Sequence, residues 1–378
     1  MLIENAPEAG WNDVTFRWQE TDPSNESHAV LVRLIGVTDH AYDDGDVRAF
    51  LMQRGSGGQW SVRLRLPSTL RSSYQICPIR DAPWDGHPTE ERWARILAAG
   101  VPDPLNPLLL AAGVTYGNPD AASILELPQA PPQPWHAPRP GVAPGTMTRH
   151  EIGEASIVHV YVPAGYEPQG IPLPLVVLFD GLWWMRLNIA ATFDNLIADG
   201  AAPPMVVAAV ESIHGAPRWH ALTHPQVYEP FVLDELVPWI EKRWNVSGDP
   251  DRTVLAGQSL GGLVTSHLAH SHPDRFGWVI GLSVAAWWGG DDEGGLSGKQ
   301  ILDAFADTEP VPVRFFLDVG SREGDLLASV RLMRDTLRSR GYWMRYREYD
   351  GGHDLACWRG GLADGLVAAL SGPRVDES

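Results

Sequence analysis

Seven prolines fall within residues 128–144, at positions 128, 131, 132, 134, 138, 140 and 144. Proline lacks the backbone donor and has a fixed φ, so neither a helix nor a central strand can run through such a stretch. The chain must therefore divide there, and 378 residues suit two unequal domains. Before the prolines, residues 13–19, 28–34, 50–53, 60–66 and 73–79 form short, alternating stretches with turn residues between them, the pattern of a small β-sandwich. After them come strand-like stretches at 156–162, 173–179, 205–211, 252–257, 277–283, 312–318 and 344–349, with helical candidates between most of them. That alternation predicts an α/β domain with a mixed, mainly parallel sheet. The expected boundaries are 1–127 for the sandwich, 128–145 for a linker and 146–378 for the larger domain. The clearest helix is at 228–244, where Val232, Leu236, Trp239 and Ile240 share one face opposite Asp234 and Glu235, with a kink expected at Pro238.

Composition removes several function classes. With 29 basic against 47 acidic residues the net charge is −18, which argues against nucleic-acid binding, because that needs a basic stripe against phosphates. A chain with 44% hydrophobic and 20% charged residues has enough apolar material for a large core. Its longest apolar stretches, such as 173–179 and 205–210, fall far short of the roughly 20 residues that span a bilayer. The first ten residues carry neither a basic region nor an apolar run, so no secretory signal is expected and a cytoplasmic location follows. The cysteines are Cys77 and Cys357, without C-x-x-C spacing, which suits a reducing compartment. No phosphate-binding or dinucleotide glycine fingerprint follows a strand. His267, His270 and His272 have a spacing reminiscent of metal ligands, yet they close a helix that His272-Pro273 stops, and neither a metal nor a cofactor is expected.

The chemistry is concentrated in the second domain. Gly257-Gln258-Ser259-Leu260-Gly261 fits G-x-S-x-G, between the apolar strand 253–256 and a helix-like run at 262–270. A serine there sits on a strained strand-to-helix turn that tolerates only small neighbours, which makes Ser259 the candidate nucleophile. In such folds an acid and a histidine follow on later loops. Gly351-Gly352-His353 supplies the candidate general base after strand 344–349, and the loop after 312–318 offers Glu323 as first choice of acid and Asp325 as second. An acyl-transfer transition state needs two backbone donors. The Leu260 amide is one; Leu182 is assigned the other, with Gly181 allowing the turn in Asp180-Gly181-Leu182-Trp183-Trp184. Cys357 lacks both an elbow and oxyanion donors, and reads as a small buried hydrophobe.

Together these motifs resemble the enterochelin (enterobactin) esterase family of serine hydrolases. The resemblance rests on D-G-x-x-W at 180–184, G-Q-S-x-G-G at 257–262 and G-G-H-D-x-x-C-W-R-G-G-L at 351–362. It extends to Val14-Thr15-Phe16-Arg17-Trp18, Asp103-Pro104-Leu105-Asn106-Pro107 and Leu125-Glu126-Leu127-Pro128-Gln129-Ala130-Pro131, which look like that family's amino-terminal module and linker. What it implies is an α/β hydrolase catalytic domain of the esterase-D-like kind behind a smaller β-sandwich. Ser259 is then the nucleophile and His353 the base, with a supporting acid near Glu323 and a siderophore backbone ester as substrate. One departure stands out: the R-x-H-E-L common in enterobacterial members appears here as Arg218-Trp219-His220-Ala221-Leu222, so if that glutamate positions the arginine, Arg218 needs another partner here and the preferred siderophore differs from enterobactin.

The expected activity is hydrolysis of a catecholate siderophore, iron-bound or free, with no nucleic-acid or membrane partner. Catechol rings are flat and their iron complexes anionic, so Trp183, Trp184, Trp287, Trp288 and Trp358 are candidates for stacking, and Arg218, near His214, His220 and His224, or Arg359, for charge. Every catalytic candidate lies beyond the prolines, which leaves substrate binding as the expected role of the sandwich. The competing enzymatic reading is a carbohydrate or feruloyl esterase of the same fold; a binding protein that has lost its chemistry is a third.

Overall fold

The computed structural model describes residues 1–20, 24, 26–81, 83–84, 88–113, 120–290 and 294–371. By its contacts the chain forms two compact units. The first is Met1–Pro132 with two later segments, Gly320–Gly324 and Tyr349–Cys357; the second is Gln133–Val319, Asp325–Glu348 and Trp358–Ser378.

The first unit contains two four-stranded antiparallel sheets. One has strand order β1 (Leu2–Asn5), β2 (Trp11–Gln19), β5 (Gln59–Pro67), β4 (Gln53–Arg54); the other β3 (Ala29–Leu34), β6 (Arg71–Ile79), β8 (Ala122–Glu126), β7 (Leu109–Leu110). Val14, Phe16 and Trp60 from the first sheet meet Val30, Val32, Tyr74, Ile76 and Leu125 from the second in one core. A second cluster forms where Ala29, Leu31, Cys77 and Ile79 pack with Trp93, Ile96 and Leu97 of the helix Glu90–Ala98. With apolar partners on both faces, β3 and β6 are buried throughout, whereas β2 keeps exposed positions. The Asp103-Pro-Leu-Asn-Pro stretch is a pair of side-chain-stabilised turns: Asp103 accepts from the Leu105 amide (2.8 Å) and the Tyr74 hydroxyl (2.7 Å), and Asn106 accepts from the Leu108 amide (3.0 Å).

The second unit is built on an eight-stranded sheet. β9 (Thr146–Ile152), β10 (Ser156–Val162), β11 (Leu175–Phe179), β12 (Val206–Ser212), β13 (Thr253–Gln258), β14 (Trp278–Leu282), β15 (Arg314–Gly320) and β16 (Met344–Tyr349) lie in the order β16-β15-β14-β13-β11-β12-β10-β9. Strands β12, β11, β13, β14 and β15 are mutually parallel, while β9 and β10 run antiparallel at one edge. The central strands are buried along their whole length and largely apolar, as strands covered on both faces require.

The helical stretch foreseen at 228–244 runs as Pro225–Pro230, a π-helical Phe231–Leu236 and Val237–Glu241. A regular α-helix would set the Pro238 ring against the Asp234 carbonyl, and the widened turn just before it relieves that clash. The widening also rotates the apolar face: Phe231, Val232, Leu236, Val237 and Ile240 are buried, while Trp239 is only partly so. From residue 133 onward the proline-rich stretch is held in place. Trp135 donates to Asp199 (2.9 Å), Arg139 pairs with Asp199 (2.8 Å), and Asn195 donates to the carbonyls of Trp135 and Ala137. Among the described residues no helix is long and apolar enough to cross a membrane.

Candidate active site

Ser259 joins β13 to the helix Leu260–Ser271 with φ 55° and ψ −119°, a conformation few L-residues adopt. The surrounding hydrogen bonds fix it there: its amide donates to the Leu282 carbonyl (2.9 Å), and its carbonyl accepts from Ala285 (3.0 Å) and Leu263 (3.2 Å). A β-carbon on Gly257 would lie 2.4 Å from the Gly261 carbonyl carbon, so the turn closes only around glycine. As the first residue of its helix, Leu260 has no carbonyl one turn back for its amide to reach.

β11 pairs with β13 in parallel register, Leu178 beside Ala256, so the Asp180-Gly181-Leu182 turn leaves the sheet next to the serine turn. The positive φ in this turn belongs to Asp180 (61°), while Gly181 allows the turn by its size, since a β-carbon there would sit 2.6 Å from the Ala209 carbonyl oxygen. Leu182 lies in the first turn of the short helix Gly181–Arg186, its side chain exposed.

Asp180 is the functional neighbour that sequence reasoning missed. Its nearly buried carboxylate accepts two bonds from Arg218, through Nε and through Nη2 (2.6 Å), and a third from Gln258 Nε2 (3.0 Å), the residue before the serine. Arg218 thereby finds its carboxylate, and its guanidinium also lies 4.9 Å from the Trp183 ring. Burial alone would lower the Arg218 pKa, but the charge and hydrogen bonds of Asp180 outweigh it and hold the pKa above its usual value. The histidines around it add little to a free cationic patch: His214 faces Glu235 at 3.3 Å, and His224 is buried with its ring 3.9 Å from His220. Replacing Arg218 with alanine should cost about 1–3 kcal/mol by urea denaturation, because Asp180 would lose its pair while staying nearly buried. Arg218→Lys should recover only part, since an ammonium cannot reproduce the two-bonded fork.

The expected stacking residues separate by exposure. Trp184 (0% exposed) donates to the Phe179 carbonyl (3.1 Å), and Trp358 (2%) donates to Ser283 Oγ (2.9 Å). Both belong to the core, which corrects their assignment as ligand platforms. Trp287 is 55% exposed and meets the partly buried Trp288 edge to face. Trp219, not among the expected residues, is 43% exposed beside Arg218.

The candidate base and acid, His353 and Glu323, lie in the first unit. His353 Nδ1 is 2.5 Å from Glu323 Oε2, and the Glu323 side chain is only 1% exposed. Its other oxygen accepts from the Gly320 amide (2.6 Å) and lies 3.2 Å from the Tyr349 hydroxyl. A carboxylate so held can orient an imidazole and leave Nε2 to exchange protons. Asp325, the second choice, is exposed in the first turn of the helix Gly324–Ser339, where a negative charge stabilises the helix end. Both cysteines are buried, and burial pushes the Cys77 thiol up to about 12.

The histidines at 267–272 have a different use. Tyr228 Oη lies 2.9 Å from His267 Nδ1, a contact in which the hydroxyl can donate only to a neutral ring. Burial, reinforced by His270 and His272, lowers the His267 pKa from 6.5 to about 4, although Glu229 lies 3.5 Å away. A depressed histidine pKa favours the folded state above pH 6.5 and loses that advantage as pH falls towards 4. Acid unfolding should therefore remove about 2–3 kcal/mol over that window through this residue, and His267→Gln should flatten the slope in urea titrations across pH.

Residues 13–136 match the family model described as enterochelin esterase, N-terminal, and residues 150–369 that described as putative esterase. The iron(III) enterobactin esterase of Escherichia coli O6:H1 is 31% identical, over 94% of this chain and 90% of its own length. The chain belongs to the enterochelin esterase family. An iron(III) salmochelin esterase from the same organism is 30% identical over 94% of this chain and 86% of its own. Among solved structures, the enterobactin esterase of Shigella flexneri in the presence of enterobactin superposes with a TM-score of 0.82 at 29% identity, over 97% of this chain and 94% of that one. Members of the enterochelin esterase family thus share with this chain an α/β hydrolase module, a sandwich module and carboxylic ester hydrolase chemistry.

Proposed function

We propose that the protein hydrolyses the ester backbone of a catecholate siderophore. The observation that carries this reading is coverage: the enterobactin and salmochelin esterases align over both modules. A xylanase/feruloyl esterase of Xylanibacter ruminicola aligns at 24% identity over 65% of this chain and 34% of its own length.

Ser259 Oγ attacks the ester carbonyl while His353 Nε2 takes its proton, and Glu323 holds Nδ1–H and stabilises the imidazolium. The oxyanion forms towards the amides of Leu260 and Leu182. Collapse breaks the C–O bond, and the leaving alkoxide receives the proton from His353, leaving an acyl group on Ser259. Water, deprotonated by His353, then attacks the acyl carbon, and Ser259 departs with that proton. Trp219 and Trp287 offer exposed indole surface for catechol rings, Trp183 is half-buried with the Arg218 guanidinium over its ring, and Arg218 holds the Asp180 turn. Two free cysteines suit a cytoplasmic setting.

Competition labelling tests the reading. A fluorophosphonate should modify Ser259, and a catecholate siderophore with an ester backbone should slow that labelling. A hydroxamate siderophore should leave the labelling rate unchanged; equal protection by both would contradict the proposal.

A further inference from the structure

The loop carrying His353 is anchored on both sides by the amino-terminal sandwich, within one compact unit. Ahead of the histidine, Asp350 accepts from the Thr69 hydroxyl (2.7 Å) and from Arg322 Nε (2.7 Å), and its carbonyl accepts from the Arg71 amide (3.1 Å). Behind it, the buried Asp354 accepts from the Ser73 amide (2.5 Å) with one oxygen and from the Ala356 amide (2.9 Å) with the other. Directly before it, Gly352 lies against Gly36, which has φ +76°; a β-carbon on Gly36 would come within 2.5 Å of Gly352 Cα and 2.9 Å of Gly352 N. Three successive features of one loop are therefore set by residues more than 270 positions earlier in the chain.

We infer that the sandwich positions the catalytic base, with Gly36, Thr69 and Ser73 acting on His353 through Gly352, Asp350 and Asp354. This departs from the expectation that the sandwich serves substrate binding alone. It rests on His353 being the base. Catalytic geometry tolerates displacements of about half an ångström, and an error of about 1 Å can cost 10²-fold in rate. Glu323 orients the His353 ring through Nδ1, and the groups that hold the two flanks of the loop set where the backbone carries that ring.

The test uses the full-length chain and two substrates, a small aryl ester and an ester-backbone siderophore. Gly36→Ala should lower kcat on both esters by roughly 10²-fold, leave KM within about threefold and slow fluorophosphonate labelling in parallel. Gly10→Ala is the matched control, because Gly10 also has positive φ (+84°) but no atom within 4 Å of an added β-carbon. It should lose only the stability that a non-glycine residue at positive φ costs, and keep its kcat. A folded Gly36→Ala protein with normal kcat, or one with only a raised siderophore KM, overturns the inference. If Gly36→Ala does not fold, Thr69→Val decides, since Thr69 is exposed: a fall in kcat of about three- to tenfold on both esters supports positioning, and an unchanged kcat overturns it. His353→Ala is measured alongside. Full activity there would remove the assignment of the base itself, a failure distinct from that of the positioning role.

Discussion

Ser259→Ala should lower ester turnover by on the order of 10³- to 10⁶-fold, and His353→Ala should fall in the same range, because nucleophile and base act as one unit. The double variant should then be hardly worse than either single one. The serine's backbone conformation is set by the hydrogen bond its amide donates to the Leu282 carbonyl and by the crowding at Gly257 rather than by its side chain. The alanine protein should consequently keep its thermal midpoint, and circular dichroism melting beside steady-state assays of an aryl ester would separate lost chemistry from lost fold. Turnover by Ser259→Ala within about tenfold of the parent would remove the serine from the mechanism.

The second large effect concerns the acid. Glu323→Gln should lower kcat by roughly 10²- to 10⁴-fold, since an amide placed against Nδ1 can favour the wrong tautomer and cannot stabilise the imidazolium. Asp325→Asn should stay within about twofold, because its carboxylate is exposed at a helix start. The contrast is informative because the two carboxylates are two residues apart. Only Glu323 is buried against His353 and also accepts from the Gly320 amide. Equal small losses from both substitutions would mean that the imidazole is oriented by another group.

Much of the catalytic module was legible in the sequence because its signals are local. The apolar runs at β10, β11, β13 and β14 read as strands from composition alone, with β10 at the expected 156–162, and the glycines around Ser259 mark the elbow. What escaped notice lacks such signals or is non-local. β9, an edge strand with few buried positions, has little hydrophobic alternation to detect. The helix Glu90–Ala98 did carry a start signal, Thr89 capping the Arg92 amide ahead of two glutamates, but it is short. The carboxylate that holds Arg218 lies 38 residues away at Asp180, and no spacing rule connects the two. The grouping of Tyr349–Cys357 with the sandwich depends on contacts such as Gly36 with Gly352, which only the folded chain brings together.

The most direct measurement of the central claim is product analysis. Purified protein is incubated with a panel containing a ferric tris-catecholate siderophore with an ester backbone, its iron-free form, an amide-linked catecholate, a feruloyl sugar and an acetylated sugar, and products are followed by chromatography with mass detection. The account predicts that the ester-backbone siderophore is cut to its acid and alcohol fragments, that the amide-linked catecholate stays intact, and that Ser259→Ala abolishes cutting. Cleavage of the feruloyl or acetyl sugars, with every ester-backbone siderophore left intact, would contradict it.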